Sequence, residues 1–126
     1  MQTKKEVLVI DDNEIFSSAL KTLLEYDDFK VKTCHSPVSA LSLAEKRGFD
    51  IYIIDYHLPE IHGDTLTAAI RRMQPSAIII GTSYESKERA FLSAGADTFI
   101  AKFELPAQLS VFIRQKNVRM GALTSE

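Results

Sequence analysis

The sequence predicts an α/β fold built on one doubly wound parallel sheet, and three observations predict it. Short apolar runs alternate five times with segments of helical periodicity, the pattern of a parallel sheet with crossover helices. Three of those runs, Val7–Ile10, Ile51–Ile54 and Ala77–Ile80, are apolar throughout or nearly so, as strands covered on both faces must be. Each apolar run gives way abruptly to polar residues at its carboxyl end, where open α/β sheets bind ligands.

Taken in order, Val7–Ile10 is the first strand and ends in Asp11-Asp12-Asn13. The next segment sets Ile15, Phe16, Ala19, Leu20, Leu23 and Leu24 on one helical face. Phe29–Cys34 alternates apolar or small residues with lysines, which suits a strand with one wet side or at a sheet edge. Ser36-Pro37 combines a cap residue with proline at the first helical position, and Val38, Leu41 and Ala44 carry that helix to Arg47, where Gly48 stops it. Asp50–Asp55 holds the third strand. After a loop with His57, Pro59 and Gly63, Asp64 is placed to cap a helix whose inner face is Leu66, Ala69, Ile70 and Met73.

The fourth strand, Ala77–Ile80, runs into Gly81-Thr82-Ser83. Glu85–Ala94 is a weaker helix with Ala90, Phe91 and Ala94 inward, stopped by Gly95. Thr98–Ala101 is the fifth strand and meets Lys102. The last helix starts near Pro106 with Leu105, Leu109, Phe112 and Ile113 inward. The domain therefore spans residues 1–119, and residues 120–126, which lack a pattern, read as a tail or linker stub. The first, third and fourth strands are the most apolar and belong at the centre; the second and fifth belong at the edges. With right-handed crossovers this favours the order 2-1-3-4-5, the flavodoxin-like arrangement.

Composition narrows the function classes. At 126 residues with 45% hydrophobic and 25% charged side chains, the chain is one domain large enough to bury its own core. A formal charge of −2 gives no bulk attraction to nucleic acid or to an anionic membrane. Arg71-Arg72, Lys87 with Arg89, and Arg114 with Lys116 read as solvated helix faces. The single cysteine, Cys34, has no partner for a disulfide or a metal knuckle and reads as a small core residue. No secretion signal and no run of membrane-spanning length occurs, so a cytoplasmic protein is expected.

The chemistry gathers at one rim. An aspartate after a strand, such as Asp55, is on its own most often a turn or cap residue. In a parallel sheet, however, Asp11 and Asp12, Asp55, Thr82 and Lys102 all arrive at the same edge. Crowded carboxylates repel and resist desolvation. One lysine does not neutralise three of them, and a hard divalent cation with oxygen ligands does; Mg²⁺ suits a small, partly hydrated site. A cation, an ammonium and a hydroxyl around one carboxylate are also what a phosphoryl group in transfer requires, with the carboxylate able to act as nucleophile.

This set, Asp11-Asp12, Asp55, Thr82-Ser83 and Lys102 with Pro59 and Gly63 after the central aspartate, resembles the response-regulator receiver domains of two-component signalling, from about Val7 to the last helix. The resemblance implies that Asp55 accepts a phosphoryl group from a phosphohistidine on a sensor histidine kinase or a phosphotransfer protein. It implies Mg²⁺ held by Asp12, Asp55 and the backbone carbonyl of His57, with Asp11 acting through a coordinated water. Thr82 and Lys102 would each meet a phosphoryl oxygen, and small Ser83 would leave the acceptor accessible. Phosphorylation would draw Thr82 inward, move the switch aromatic Phe99, and alter the surface of the fourth helix, fifth strand and fifth helix for a downstream output protein or a fused effector domain. Such a domain catalyses its own phosphorylation and dephosphorylation without being a classical turnover enzyme. A homodimer through the last helices is also compatible with it.

Three departures accompany the resemblance. Phe103 follows Lys102 where the family usually has proline and a cis bond. Phe99 stands where tyrosine is commoner. His57 and Tyr84 occupy the two positions that in relatives flank the attacking water, and so are expected to tune dephosphorylation; His57 reads equally as a plain loop histidine, and His62 reads only as one. The competing class is a degenerate receiver that binds partners without phosphorylation, for which Phe103 is the one encouragement. A flavodoxin would need a Ser/Thr/Gly-rich loop where this chain has Asp11-Asp12-Asn13-Glu14, and a phosphoaspartyl hydrolase would need a second aspartate where Asn13 stands.

Overall fold

A computed structural model describes residues 4–124, with side chains through Lys116. Its elements are β1 (Glu6–Ile10), α1 (Glu14–Tyr26), β2 (Lys30–Cys34), α2 (Pro37–Lys46), β3 (Ile51–Asp55), α3 (Gly63–Met73), β4 (Ile78–Ser83), α4 (Glu88–Ala94), β5 (Thr98–Ala101), a 3₁₀ turn (Lys102–Glu104) and α5 (Leu105–Thr124). The strands form one sheet of order β2-β1-β3-β4-β5, parallel at every pairing. The strands with exposed lysines and partly exposed threonine and phenylalanine are the edges, as their patterns require.

Alternation along each central strand feeds two cores. Leu8, Ile10, Tyr52, Ile54 and Ile79 pack with Ala40 and Ala44 of α2, Leu66 and Ile70 of α3, and Phe91 of α4. Val7, Val9, Ile51, Ile53 and Ile80 face the other way, onto Leu20 and Leu24 of α1 and Leu105, Leu109 and Ile113 of α5. Cys34 is buried, and burial pushes its thiol up to about 11, which keeps it an inert core residue.

The helix ends follow local chemistry. Asn13 caps α1 by accepting the Phe16 N–H at 3.0 Å, and Ser36 caps α2 by accepting from Ser39 at 3.2 Å. Gly48 and Gly95, with φ of +70° and +110°, take the left-handed conformation that stops α2 and α4.

Several details differ from the sequence pattern. The inner face of α1 is Phe16, Ser17, Leu20 and Leu24; Ile15 (85% exposed), Ala19 and Leu23 form a second stripe, one step round the helix, that faces solvent. Likewise Val38 is largely and Met73 partly exposed, while Pro37 and Thr67 are buried. Helix α3 begins at Gly63 with His62 as its cap residue, because the Gly63 N–H is drawn to the Tyr56 carbonyl at 2.8 Å. Asp64 sits instead in the first turn, where its charge favours the helix N-terminus. Helix α4 begins at Glu88 rather than Glu85, whose carboxylate and N–H are turned to His57 and Ser83. Arg71 is not a solvated face residue. Its guanidinium donates to the carbonyls of Gly95, Pro75 and Ala77 and to Asp97, which also accepts the Ile79 N–H.

Candidate functional site at the carboxyl rim of the sheet

The register builds the site. Ile10 pairs with Ile54 and Asp55 with Thr82, so β1, β3 and β4 end side by side. Asp11 follows β1, Asp55 is the last residue of β3, Thr82 lies near the end of β4, and Lys102 opens the turn after β5. Asp11, Asp55, Thr82, Ser83 and Lys102 are all buried, while Asp12 faces solvent. Helix α3 can start directly behind Asp55 because residue 63 is glycine: a Cβ there would collide with the Asp55 carbonyl.

One carboxylate oxygen from each of Asp11, Asp12 and Asp55 lies within 4.8 Å of the others. Burial, then the Asp11 charge, pushes the Asp55 carboxyl up to about 6, with Lys102 pulling the other way. The Lys102 ammonium is 2.8 Å from Asp11 Oδ2 and 3.7 Å from Asp55 Oδ1. Burial by itself would lower the Lys102 pKa, but the Asp11 hydrogen bond and the Asp11 and Asp55 charges outweigh it and leave it raised. The lysine is therefore a fixed cation at the rim. Asp11 Oδ1 accepts the Asn13 N–H at 2.8 Å. Its Oδ2 is buried and faces the Lys102 ammonium.

These residues fit a hard divalent cation. The donor set is all oxygen, two carboxylates are buried, one is open to water, and their mutual repulsion has only one ammonium to offset it. They also fit a phosphoryl group: the buried Asp55 carboxylate has an ammonium 3.7 Å away and a threonine as its register partner.

The remaining sequence-derived candidates divide. Thr82 donates its hydroxyl hydrogen to the Ile100 carbonyl at 2.7 Å. Phe99, half-buried, leans on Phe91 at 5.9 Å between ring centroids. His57 is exposed, and its Nε2 pairs with Glu85 across the β3–α3 and β4–α4 loops, an interaction that lowers the Glu85 pKa. Tyr84, also exposed, sets its ring 4.9 Å from the Lys102 ammonium. His62 is exposed and stacks on Tyr56 at 4.5 Å. The Lys102–Phe103 bond is trans, and the Phe103 ring is 72% exposed at the rim. Two residues not singled out as site candidates take part: Phe16, with its ring 4.7 Å from the Lys102 ammonium, and Glu85. Phe16 had a signal, since it lies one helical turn after Asp12 and so near the rim, but its apolar character reads equally as core.

Comparison with known proteins adds the family. A model described as the response regulator receiver domain matches residues 7–114. The chain is 27% identical over 100 residues to the regulatory protein VanRc of Enterococcus gallinarum, covering 78% of this chain and 43% of that protein. It is 27% identical over 117 residues to the response regulator SaeR of Staphylococcus aureus (strain USA300), covering 90% of this chain and 51% of that protein. It thus spans about half the length, or less, of these curated relatives. Among solved structures it resembles a CheY-like response regulator receiver domain protein from Methanospirillum hungatei JF-1, with a TM-score of 0.84 and 26% identity over 90% of this chain and 93% of that one. It also resembles the receiver domain of the histidine kinase CKI1 from Arabidopsis thaliana, solved with Mg²⁺ and BeF₃⁻, with a TM-score of 0.76 and 29% identity over 90% of each chain.

Proposed function

The chain belongs to the response regulator receiver domain family, and from that premise we propose that it is a working phosphoacceptor with Asp55 as the acceptor. The observation that carries this reading is the intact constellation around Asp55: a buried carboxylate raised to about 6, two further aspartates within 4.8 Å and a buried ammonium at 3.7 Å. In the transfer, an Asp55 oxygen attacks the phosphorus of a phosphohistidine. The new O–P bond forms as the N–P bond breaks, and the leaving imidazole keeps the electron pair and takes up a proton. Mg²⁺ supplies charge neutralisation for the carboxylates and the phosphoryl oxygens. Asp12, Asp55 and the His57 carbonyl would hold it, and Asp11, whose two oxygens are engaged by Asn13 and Lys102, would act through water. Lys102 and Thr82 then bind the transferred oxygens, and His57 and Tyr84 at the mouth set how readily water reaches the phosphorus.

Release of the Thr82 hydroxyl from Ile100 is the local event that couples the acceptor to β5, and Phe99 repacking against Phe91 carries it to α4. The phosphodonor docks on the same rim, where Ile15 in the first turn of α1 and Phe103 present exposed apolar side chains. The switched α4–β5–α5 face serves an output protein or a fused effector, with a homodimer as one form of that contact. The domain works in the cytoplasm; no helix among the described residues is long and apolar enough to cross a membrane. The phosphorylation-independent reading would call for a damaged acceptor set, and Phe103 alone does not disturb it.

The test is titration with Mg²⁺ and beryllofluoride followed by amide NMR. Saturable shifts at Thr82, Phe99 and Lys102, absent in Asp55→Asn, are the expected result. Unmoved spectra in folded protein would favour the phosphorylation-independent reading.

A further inference from the structure

We infer that Phe16 and Tyr84 form an aromatic cage that positions the Lys102 ammonium for the phosphoryl group, an assignment that rests on the phosphoacceptor reading of Asp55. The Nζ atom lies 4.7 Å from the centre of the Phe16 ring and 4.9 Å from that of Tyr84, both inside the range in which an aromatic face attracts a cation. Lys102 is only 4% exposed. An ammonium taken out of water needs replacements for its hydration on every side. Asp11 and Asp55 supply the anionic side, and the two ring faces supply the apolar side, where a water would otherwise sit.

Both residues spring from backbone at an element end. Phe16 is rooted in the first turn of α1, where its own N–H is fixed by the Asn13 cap. Tyr84 directly follows Ser83 at the end of β4. The cage therefore joins the ends of three strands: Asp11 and Phe16 come after β1, Tyr84 after β4, and Lys102 after β5. By excluding water it also strengthens the pull of the ammonium on any anion added at Asp55, since charge interactions weaken as local solvent increases. Phe16 and Tyr84 are positioning residues: they touch the lysine and not the reacting atoms. This gives Tyr84 a role besides the control of dephosphorylation proposed above, and gives Phe16 a role that a core residue of α1 would lack.

The cage has a signature that needs no phosphorylation. In protein labelled with ¹³C-lysine, the Lys102 side-chain methylene signals, identified by their loss in Lys102→Arg, should lie upfield of the other lysines because ring faces shield them. In Tyr84→Leu and Phe16→Leu they should move back toward the exposed lysines. Adduct formation with acetyl phosphate and Mg²⁺ should slow by roughly threefold or more in each. Tyr84→Phe and Phe16→Tyr should preserve the shift, because each keeps a ring face against the ammonium. Tyr84 is exposed, so its variants decide the matter even where a Phe16 variant fails to fold. An ordinary Lys102 shift in the wild type, or Phe and Tyr replacements whose Lys102 shift matches that of the leucines, would overturn the cage. A wild type that takes no phosphoryl group would defeat the phosphoacceptor reading instead, and the lysine shift would still decide the geometry.

Discussion

The Thr82 hydroxyl is bound to the Ile100 carbonyl at 2.7 Å, across the β4–β5 pair and away from solvent. On the proposed function, a phosphoryl group on Asp55, the register partner of Thr82, would compete with that carbonyl for the same hydrogen. Thr82→Ala should therefore still accept a phosphoryl group but lose the spectral change at Phe99 and α4 that accompanies it, whereas Thr82→Ser should keep it. Removing the hydroxyl should also destabilise the unphosphorylated protein by about 1 kcal/mol, read from denaturant midpoints. An Ala variant with the full Phe99 response would separate the switch from Thr82.

The raised Asp55 pKa makes stability depend on pH in a definite direction. The ordinary value is 3.8 and the folded value about 6. Below the ordinary value both states are protonated and nothing is lost; between the two the unfolded chain ionises more readily, so stability falls as pH rises and stays reduced above about 6. Without divalent cations, Asp55→Asn should therefore leave stability unchanged near the ordinary carboxylate pKa and below. It should raise stability by up to roughly 2–3 kcal/mol near neutral pH. Added Mg²⁺ should close the gap by stabilising the wild type more. Equal stability of the two at neutral pH in chelator would contradict the assigned crowding of charge.

Arg71 yields a stability prediction with no functional counterpart. Its guanidinium ties α3 to Gly95, Ala77 and Asp97, and so fixes the amino-terminal side of β4 and β5. Arg71→Ala should destabilise the fold by about 2 kcal/mol, since several hydrogen bonds to a charged group are lost together. The rate of adduct formation with acetyl phosphate should be unchanged, because the network lies at the opposite end of the strands from Asp55. A neutral effect on the denaturation midpoint would count against the network.

A protein donor and a small-molecule donor should respond differently to the rim. Ile15→Ser and Phe103→Ser remove exposed apolar surface without touching the acceptor. Transfer from a phosphorylated histidine protein should slow about tenfold in the pair, while acetyl phosphate should react at the wild-type rate. Parallel slowing with both donors would place these residues in the chemistry rather than in docking.

How much of this was legible beforehand differs by level. Sheet order followed from strand character, because Ile51–Ile54 has no polar position to spare for an exposed face while Lys30 and Lys32 demand one. Asp11, Asp12, Asp55, Thr82 and Lys102 were legible because parallel strands deliver their ends to one rim. The face of α1 was not: Ile15 and Phe16 are adjacent apolar residues, and periodicity alone does not say which of the two turns inward. The Arg71 network was hidden because three of its four acceptors are backbone carbonyls, which leave no mark in a sequence. The same holds for the Phe16 ring against Lys102, a contact between residues 86 positions apart in number.

The most direct test of the account is the intact mass of the protein after incubation with acetyl phosphate, with and without Mg²⁺, for the wild type and Asp55→Asn. The account predicts a single phosphoryl adduct on the wild type that requires Mg²⁺ and is absent from the variant. No adduct on folded wild type at saturating Mg²⁺, or an adduct that survives in Asp55→Asn, would contradict it.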